Sequence, residues 1–154
     1  MLLMPHTLAG IAIAASVPNP IISIPLSIIM HFMGDMIPHW DLYDKRTDER
    51  TGWVDLGIML DLVLGVAFGI FFTLYSLWIL HNTSLALNIL ACGIFSVLPD
   101  AIMAPALYIK NPPKISKIMF GIQKKIHNHA ALPYGLITQL LVVLLCLLLI
   151  SGSL

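Results

Sequence analysis

One block of the sequence, His31-Phe-Met-Gly-Asp35-Met-Ile-Pro-His39-Trp-Asp41, carries two imidazoles and two carboxylates in close succession. Residues four apart stack on one face of a helix, so His31 and Asp35 can present an imidazole and a carboxylate to the same point, and Gly34 leaves room beside them. Pro38 ends the regular helix. His39 comes about one turn further on, on that face or just beyond it, and Asp41 follows two residues later. Such ligands suit zinc first, with manganese or iron as the other choices, and three or more of them around an open position activate water. Taken alone the His31/Asp35 pair reads equally as two metal ligands or as a hydrogen-bonded structural pair. His39 and further ionisable groups elsewhere in the chain raise the metal reading.

Those further groups are His6, Asp61, Asp100, His127 and His129. Asp61 lies in Ile58-Met-Leu-Asp-Leu-Val-Leu, where a lone carboxylate must protonate or find a cation. A metal is the simplest partner, and a hydrogen bond to a neighbouring helix is the other reading. Asp100 follows Pro99 in an apolar stretch and reads either as a helix break with a local cap or as a ligand on that break. His127 and His129 are two apart, so on a helix they diverge, and one of them joins a cluster while the other supports it or meets substrate. His6, in Met4-Pro5-His6-Thr7, also fits a helix start with proline near the first position. Asp55 reads as a charge favoured at a helix N-terminus.

The elements that must position these groups are membrane helices. The 154-residue chain is 58% hydrophobic and only 10% charged, with a mean hydropathy of +0.92, which excludes an ordinary soluble domain. Eight basic and eight acidic side chains cancel, so nucleic acid is not an expected partner. Cys92 and Cys146 sit far apart inside apolar runs and read as buried packing residues rather than a disulfide or thiolate site.

Five apolar stretches, 1–17, 21–37, 54–80, 86–108 and 130–150, approach the length of a membrane span. Pro18-Asn19-Pro20 makes the first two a helical hairpin over 1–37. Gly57, Gly65 and Gly69 allow another helix to approach the third stretch, and Pro99 and Pro105 interrupt the fourth. The expectation is all-α: a single integral membrane bundle of about five helices. All sixteen charged side chains fall between Asp35 and Asp61 or between Asp100 and Lys125. The two charged loops therefore share a side. Lys45, Arg46 and Arg50, with Lys110, Lys114, Lys117, Lys124 and Lys125, assign that side to the cytoplasm, as in the plasma (inner) membrane of a prokaryote, with the N-terminus cytoplasmic and the C-terminus outside. Trp40, Tyr43 and Trp53 bracket the first loop as interfacial aromatics do. The basic run 110–125 has the character of a segment lying on an anionic leaflet, although topology anchoring alone would account for it. Every candidate ligand falls in the cytoplasmic half, and His81 is the one histidine on the other side.

The opening Pro5-His6-Thr7-Leu-Ala-Gly10, the His31-x3-Asp35-x2-Pro38-His39-x-Asp41 block, Leu98-Pro99-Asp100 and His127-Asn-His129 together resemble the family of membrane-bound metal-dependent hydrolases. The His-x3-Asp step is also similar to the metal-binding helices of zinc-dependent phospholipase C and the single-strand-specific zinc nucleases. The resemblance implies a helical metal site and hydrolytic activity on His6, His31 and Asp35, joined by Asp100 and His127. On this reading one or two divalent ions are held by His6, His31, Asp35, His39, Asp61, Asp100 and His127 or His129. Asp61 or Asp100 then serves as general base, and a small-molecule or lipid substrate, favoured if it carries phosphate, is cut at the membrane. The alternatives are a metal-binding or purely structural membrane protein and a metal transporter. Transport needs a polar path across the membrane, and beyond His81, Asn82 and Asn88 the outer half offers almost none.

Overall fold

A computed structural model describes residues 1–41 and 52–154, with side chains from residue 56 onward in the second stretch. Tyr43, Lys45, Arg46 and Arg50 lie outside the described residues, as do the side chains of Trp53 and Asp55. The described chain is all-helical: α1 (Leu3–Ser16), α2 (Pro20–Met36), α3 (Gly52–Trp78), α4 (Thr83–Met103), α5 (Pro105–Tyr108), α6 (Lys114–Ile126) and α7 (Tyr134–Ser153). Among the described residues, three helical stretches are long and apolar enough to cross a membrane: Leu56–Trp78, Thr83–Tyr108 and Tyr134–Ser153. α1 and α2 are apolar but shorter.

α1 has no polar face beyond its first turns, and a helix apolar all round belongs in a core. It is the central element, touching α2, α3, α4 and α7. Leu8, Ile11, Ala12 and Ala14 of α1 pack with Ile89 and Cys92 of α4 and with Cys146 and Ile150 of α7. Both cysteines are free and buried, as their apolar settings predict. The outer faces of α3, α4 and α7 carry exposed Leu, Ile, Val and Phe in long rows, which water would not tolerate and lipid would. α1 crosses α3 at Gly65, where a Cβ would lie 2.7 Å from the Leu3 side chain.

The turns follow their residues. Pro18-Asn19-Pro20 separates α1 from α2, with the Asn19 side chain accepting the Ile21 amide at 3.0 Å. Asn82 caps α4 in the same manner, following His81, whose φ of 51° makes the turn from α3. At this end of the bundle Asn88 is a structural clamp. Its amide donates to the carbonyls of Ala14 and Val17 at 3.3 and 3.2 Å, and its oxygen accepts the Ser23 hydroxyl at 2.8 Å, tying α1, α2 and α4 together.

Pro99 does not interrupt the fourth apolar stretch, contrary to the sequence expectation: α4 runs through it to Met103, and the break comes at Ala104-Pro105. A single missing amide is tolerated where neighbouring helices enclose the turn. Asp100 is thus a helical residue, not a loop cap.

Candidate metal centre

The chemistry-bearing residues converge where the ends of α2, α4 and α6 meet the starts of α1 and α3. Asp35 is the hub. His6 Nε2 lies 3.1 Å from its Oδ1 and His31 Nε2 lies 3.4 Å from its Oδ2. The Met1 amine donates to Oδ1 at 2.6 Å. All three side chains are buried. His31 and Asp35 do share one face of α2, as their spacing requires. Gly34 lets α1 approach: a Cβ there would stand 3.1 Å from His6 Cε1 and 2.9 Å from Met1 Cε.

Among the described residues, two groups of potential ligands have nitrogen and oxygen atoms within 4.8 Å of one another, His6/His31/Asp100 and Asp35/His39/His127. In the first, the rings of His6 and His31 stack at 4.1 Å, and Asp100 Oδ1 is 3.5 Å from His31 Nε2. In the second, His39 and His127 meet edge to face at 4.5 Å. Asp41 closes this side, with its Oδ2 3.5 Å from His39 Nε2 and 3.2 Å from His127 Nε2. Asp35 stands between the two groups.

The ring orientations are set by backbone. His31 Nδ1 is 2.8 Å from the Ser96 carbonyl of α4, and His39 Nδ1 is 2.6 Å from the Ile37 carbonyl. A carbonyl only accepts, so each Nδ1 carries its proton and each Nε2 faces the carboxylates. His39 Nε2 and His6 Nδ1 are buried without a hydrogen-bond partner among the described residues. Buried nitrogens left this way are costly unless a cation or a proton supplies the missing interaction.

Outside the helices the charge balance has the same sense. Burial pushes the Asp41 carboxyl up, but the His39 ring, the Met1 amine and His127 around it outweigh that and hold it below the usual carboxylate range. Burial holds the His127 imidazole down, against the opposing pull of Asp41. At neutral pH this side therefore presents a neutral imidazole beside an ionised carboxylate, the protonation states that metals take.

His39 reaches the cluster by a route no helical period describes. α2 ends at Met36, and the following residues run beside 127–130, with His39 N–H donating to the Asn128 carbonyl at 3.0 Å and Ala130 N–H to the His39 carbonyl at 2.7 Å. This parallel pairing engages His129 through its backbone and leaves its side chain exposed. His127 thus joins a ligand group and His129 does not, although both line the adjoining cavity. Gly135 allows the pairing to pack on α7, since a Cβ there would collide with the backbone of His39 and Trp40.

Asp61 has another task. Its two oxygens accept the Leu3 and Met4 amides at 2.5 and 3.0 Å, so it caps the N-terminus of α1 and belongs to neither ligand group. The carboxylate is held by a neighbouring helix, one of the two readings its position allows.

Two glutamines take part that spacing did not single out. Gln123, buried on the otherwise basic α6, donates to Asp100 Oδ1 at 2.9 Å and lies 3.0 Å from His31 Nε2. Gln139, on α7, donates to the Trp40 carbonyl at 2.6 Å and accepts the Leu2 amide at 3.2 Å. A polar side chain within an apolar span was the available signal for Gln139; Gln123 was masked by the lysines around it.

A cavity of about 750 Å³ adjoins the cluster. Asp35, Asp41, Asp100 and His127 line it, as does Asp61, and the rest of its lining from α3, α4 and α5 is mostly apolar. No protein-family model, no curated protein and no solved structure matches this chain.

Proposed function

We propose that the chain is an integral membrane metal-dependent hydrolase whose centre is built from His6, His31, Asp35, His39, Asp100 and His127, with Asp41 beside them. The observation that carries this reading is the pairing of rings around carboxylates. Nε2 of His31 and of His39 each face carboxylate oxygens while Nδ1 is committed to a carbonyl. His31 Nε2 also lies 3.0 Å from the Gln123 amide, whereas His39 Nε2 and His6 Nδ1 have no hydrogen-bond partner among the described residues, and what these two call for is a further proton or a metal ion. Protonating both members of the stacked His6/His31 pair, 4.1 Å apart, and of the His39/His127 pair, 4.5 Å apart, would set like charges against one another. One or two divalent ions, zinc by the nitrogen-rich donor set, meet the same demand without that repulsion.

A divalent ion held there supplies Lewis acidity and lowers the pKa of water toward about 7. The chain itself orients the ligands through Ser96, Ile37 and Gln123 and brings an apolar cleft to the site. Asp100, half-buried and lining the cavity, would take the proton of an attacking water. A phosphoester fits such a centre, because Lys124 lines the same cavity.

The topology that accompanies this reading has five crossings. The shorter α1 and α2 act as a hairpin within the bundle, and the lysines of residues 110–125 stand with the metal centre on the cytoplasmic side of a prokaryotic plasma membrane. The Asn88 side chain is engaged in tying α1, α2 and α4 together, which disfavours a transport role for it.

The test is elemental analysis of the purified protein beside an Asp35→Asn, His31→Gln double variant. About one or two equivalents of zinc, manganese or iron in the parent and a clear loss in the variant are expected. A parent that stays folded and metal-free after stringent loading would overturn the proposal and leave a structural bundle, in which Asp35 pairs with the Met1 amine and its histidines.

A further inference from the structure

The cavity beside the centre is unusual in where its walls lie. Ile58 and Leu62 of α3, Val97, Ala101 and Ala104 of the α4 end, and Leu107 of α5 line it. These residues belong to Leu56–Trp78 and Thr83–Tyr108, both long and apolar enough to span a membrane. Met59 and Leu62 line the cavity while being 56% and 39% exposed, so the cleft is continuous with the apolar outer face of α3. Asp35, Asp41, Asp100 and His127 of the ligand cluster line it too, together with Lys124, and Asp61 stands among the α3 residues.

A water-soluble ester would have to give up its hydration to enter walls that are mostly apolar, where few groups replace the lost hydrogen bonds. A molecule already dissolved in lipid enters laterally and keeps its chain in apolar surroundings throughout. At the ligand cluster, carboxylates alone repel an anionic head. Divalent cations among them, with Lys124 at the margin, reverse that sign.

We infer that the cleft between α3 and α4–α5 receives the hydrocarbon chain of a membrane lipid whose phosphoester head reaches the Asp35/Asp100/His127 cluster beside Lys124. This assignment of the substrate rests on the metal centre proposed above. The lipid supplies the chain and the head together, so neither part alone binds as the whole does.

The full chain in phosphatidylcholine nanodiscs, loaded with zinc, provides the test. Single cysteines are introduced as Ala101→Cys and Ala104→Cys in the cleft and as Leu144→Cys on the exposed face of α7, where Leu144 is 53% exposed. The native Cys92 and Cys146 are buried and give the background, read on the parent. Maleimide labelling is followed with hexadecyl phosphate, butyl phosphate or hexadecanol present. Hexadecyl phosphate should slow labelling of the two cleft cysteines by about tenfold, as a ligand at about ten times its Kd protects, and leave Leu144→Cys unchanged. Butyl phosphate and hexadecanol should do much less, and chelating the zinc should abolish the protection.

Equal slowing at all three positions means partition into the bilayer and overturns the inference. So does protection by butyl phosphate as strong as by hexadecyl phosphate, or no protection at all. Metal content measured on the same samples separates the two levels. A zinc-loaded protein without protection removes the lipid and leaves the metal centre standing. A protein that holds no zinc removes both.

Discussion

Gly34→Ala separates the metal centre from the stability of the helix that carries it. Gly34 lies inside α2, where alanine is intrinsically better than glycine by about 1 kcal/mol. Against that gain stands the space: the added methyl would be 2.9 Å from Met1 Cε and 3.1 Å from His6 Cε1. The methionine tip can swing away. The His6 ring cannot, because it is 1% exposed, stacked on His31 at 4.1 Å and placed 3.1 Å from Asp35. Carbon contacts are optimal from about 3.5 Å, so the ring must yield by roughly 0.4 Å, and such overpacking costs about 1–3 kcal/mol. The two effects largely offset in stability. They do not offset in metal binding, where ligand distances are held to about 0.2 Å and a displacement of twice that spoils one donor. The expected result is an unfolding midpoint close to the parent's in the metal-free protein and a metal affinity lower by about tenfold, equivalent to about 1.4 kcal/mol. Chelator competition measures the affinity, and thermal unfolding with and without metal measures the rest. A variant that is stabilised by about 1 kcal/mol and binds metal as tightly as the parent would refute the reasoning, because it would mean that His6 is not held against Gly34 as a ligand.

Asp61→Asn should act in the opposite sense: one carboxylate oxygen becomes an NH2 group facing the Leu3 or Met4 amide, a donor against a donor, at a cost of about 1–3 kcal/mol in stability with metal content unchanged. A stable variant that has lost metal would make Asp61 a ligand rather than a cap. Acidification should destabilise the metal-free protein from the ordinary histidine range downward. Burial holds His127 below that range, so near pH 6 the unfolded chain binds a proton that the folded chain does not, and stability falls as pH drops through about 6.5. The lowered Asp41 carboxyl contributes with the same sign only at pH values near and below its ordinary 3.8, outside this window. Thermal unfolding between about pH 7.5 and 5.5 should therefore be steeper in the parent than in His127→Asn, and equal slopes would contradict the burial argument.

What could be read from the sequence is what helical geometry and solvent chemistry encode locally. A helix puts residues four apart on one face wherever it lies, so His31 and Asp35 were a pair before any packing was known. Apolar length marked the three stretches that could cross a membrane, while the first two of the five expected form shorter helices, and the proline-asparagine-proline triplet marked the turn between α1 and α2. Cys92 and Cys146 were legible as core because each sits inside an apolar run of sequence. The tertiary structure alone decided which groups meet. His39 is brought in by backbone pairing with 128–130, a non-helical contact with no period in sequence, and that same pairing separates His127 from His129. Asp61 is occupied by the amides that begin α1, and Gln123 is turned inward from a basic helix; each depends on the packing of distant elements. Pro99 stays helical because neighbouring helices enclose its turn. A side chain's periodicity tells which way it faces, and only packing tells what it faces.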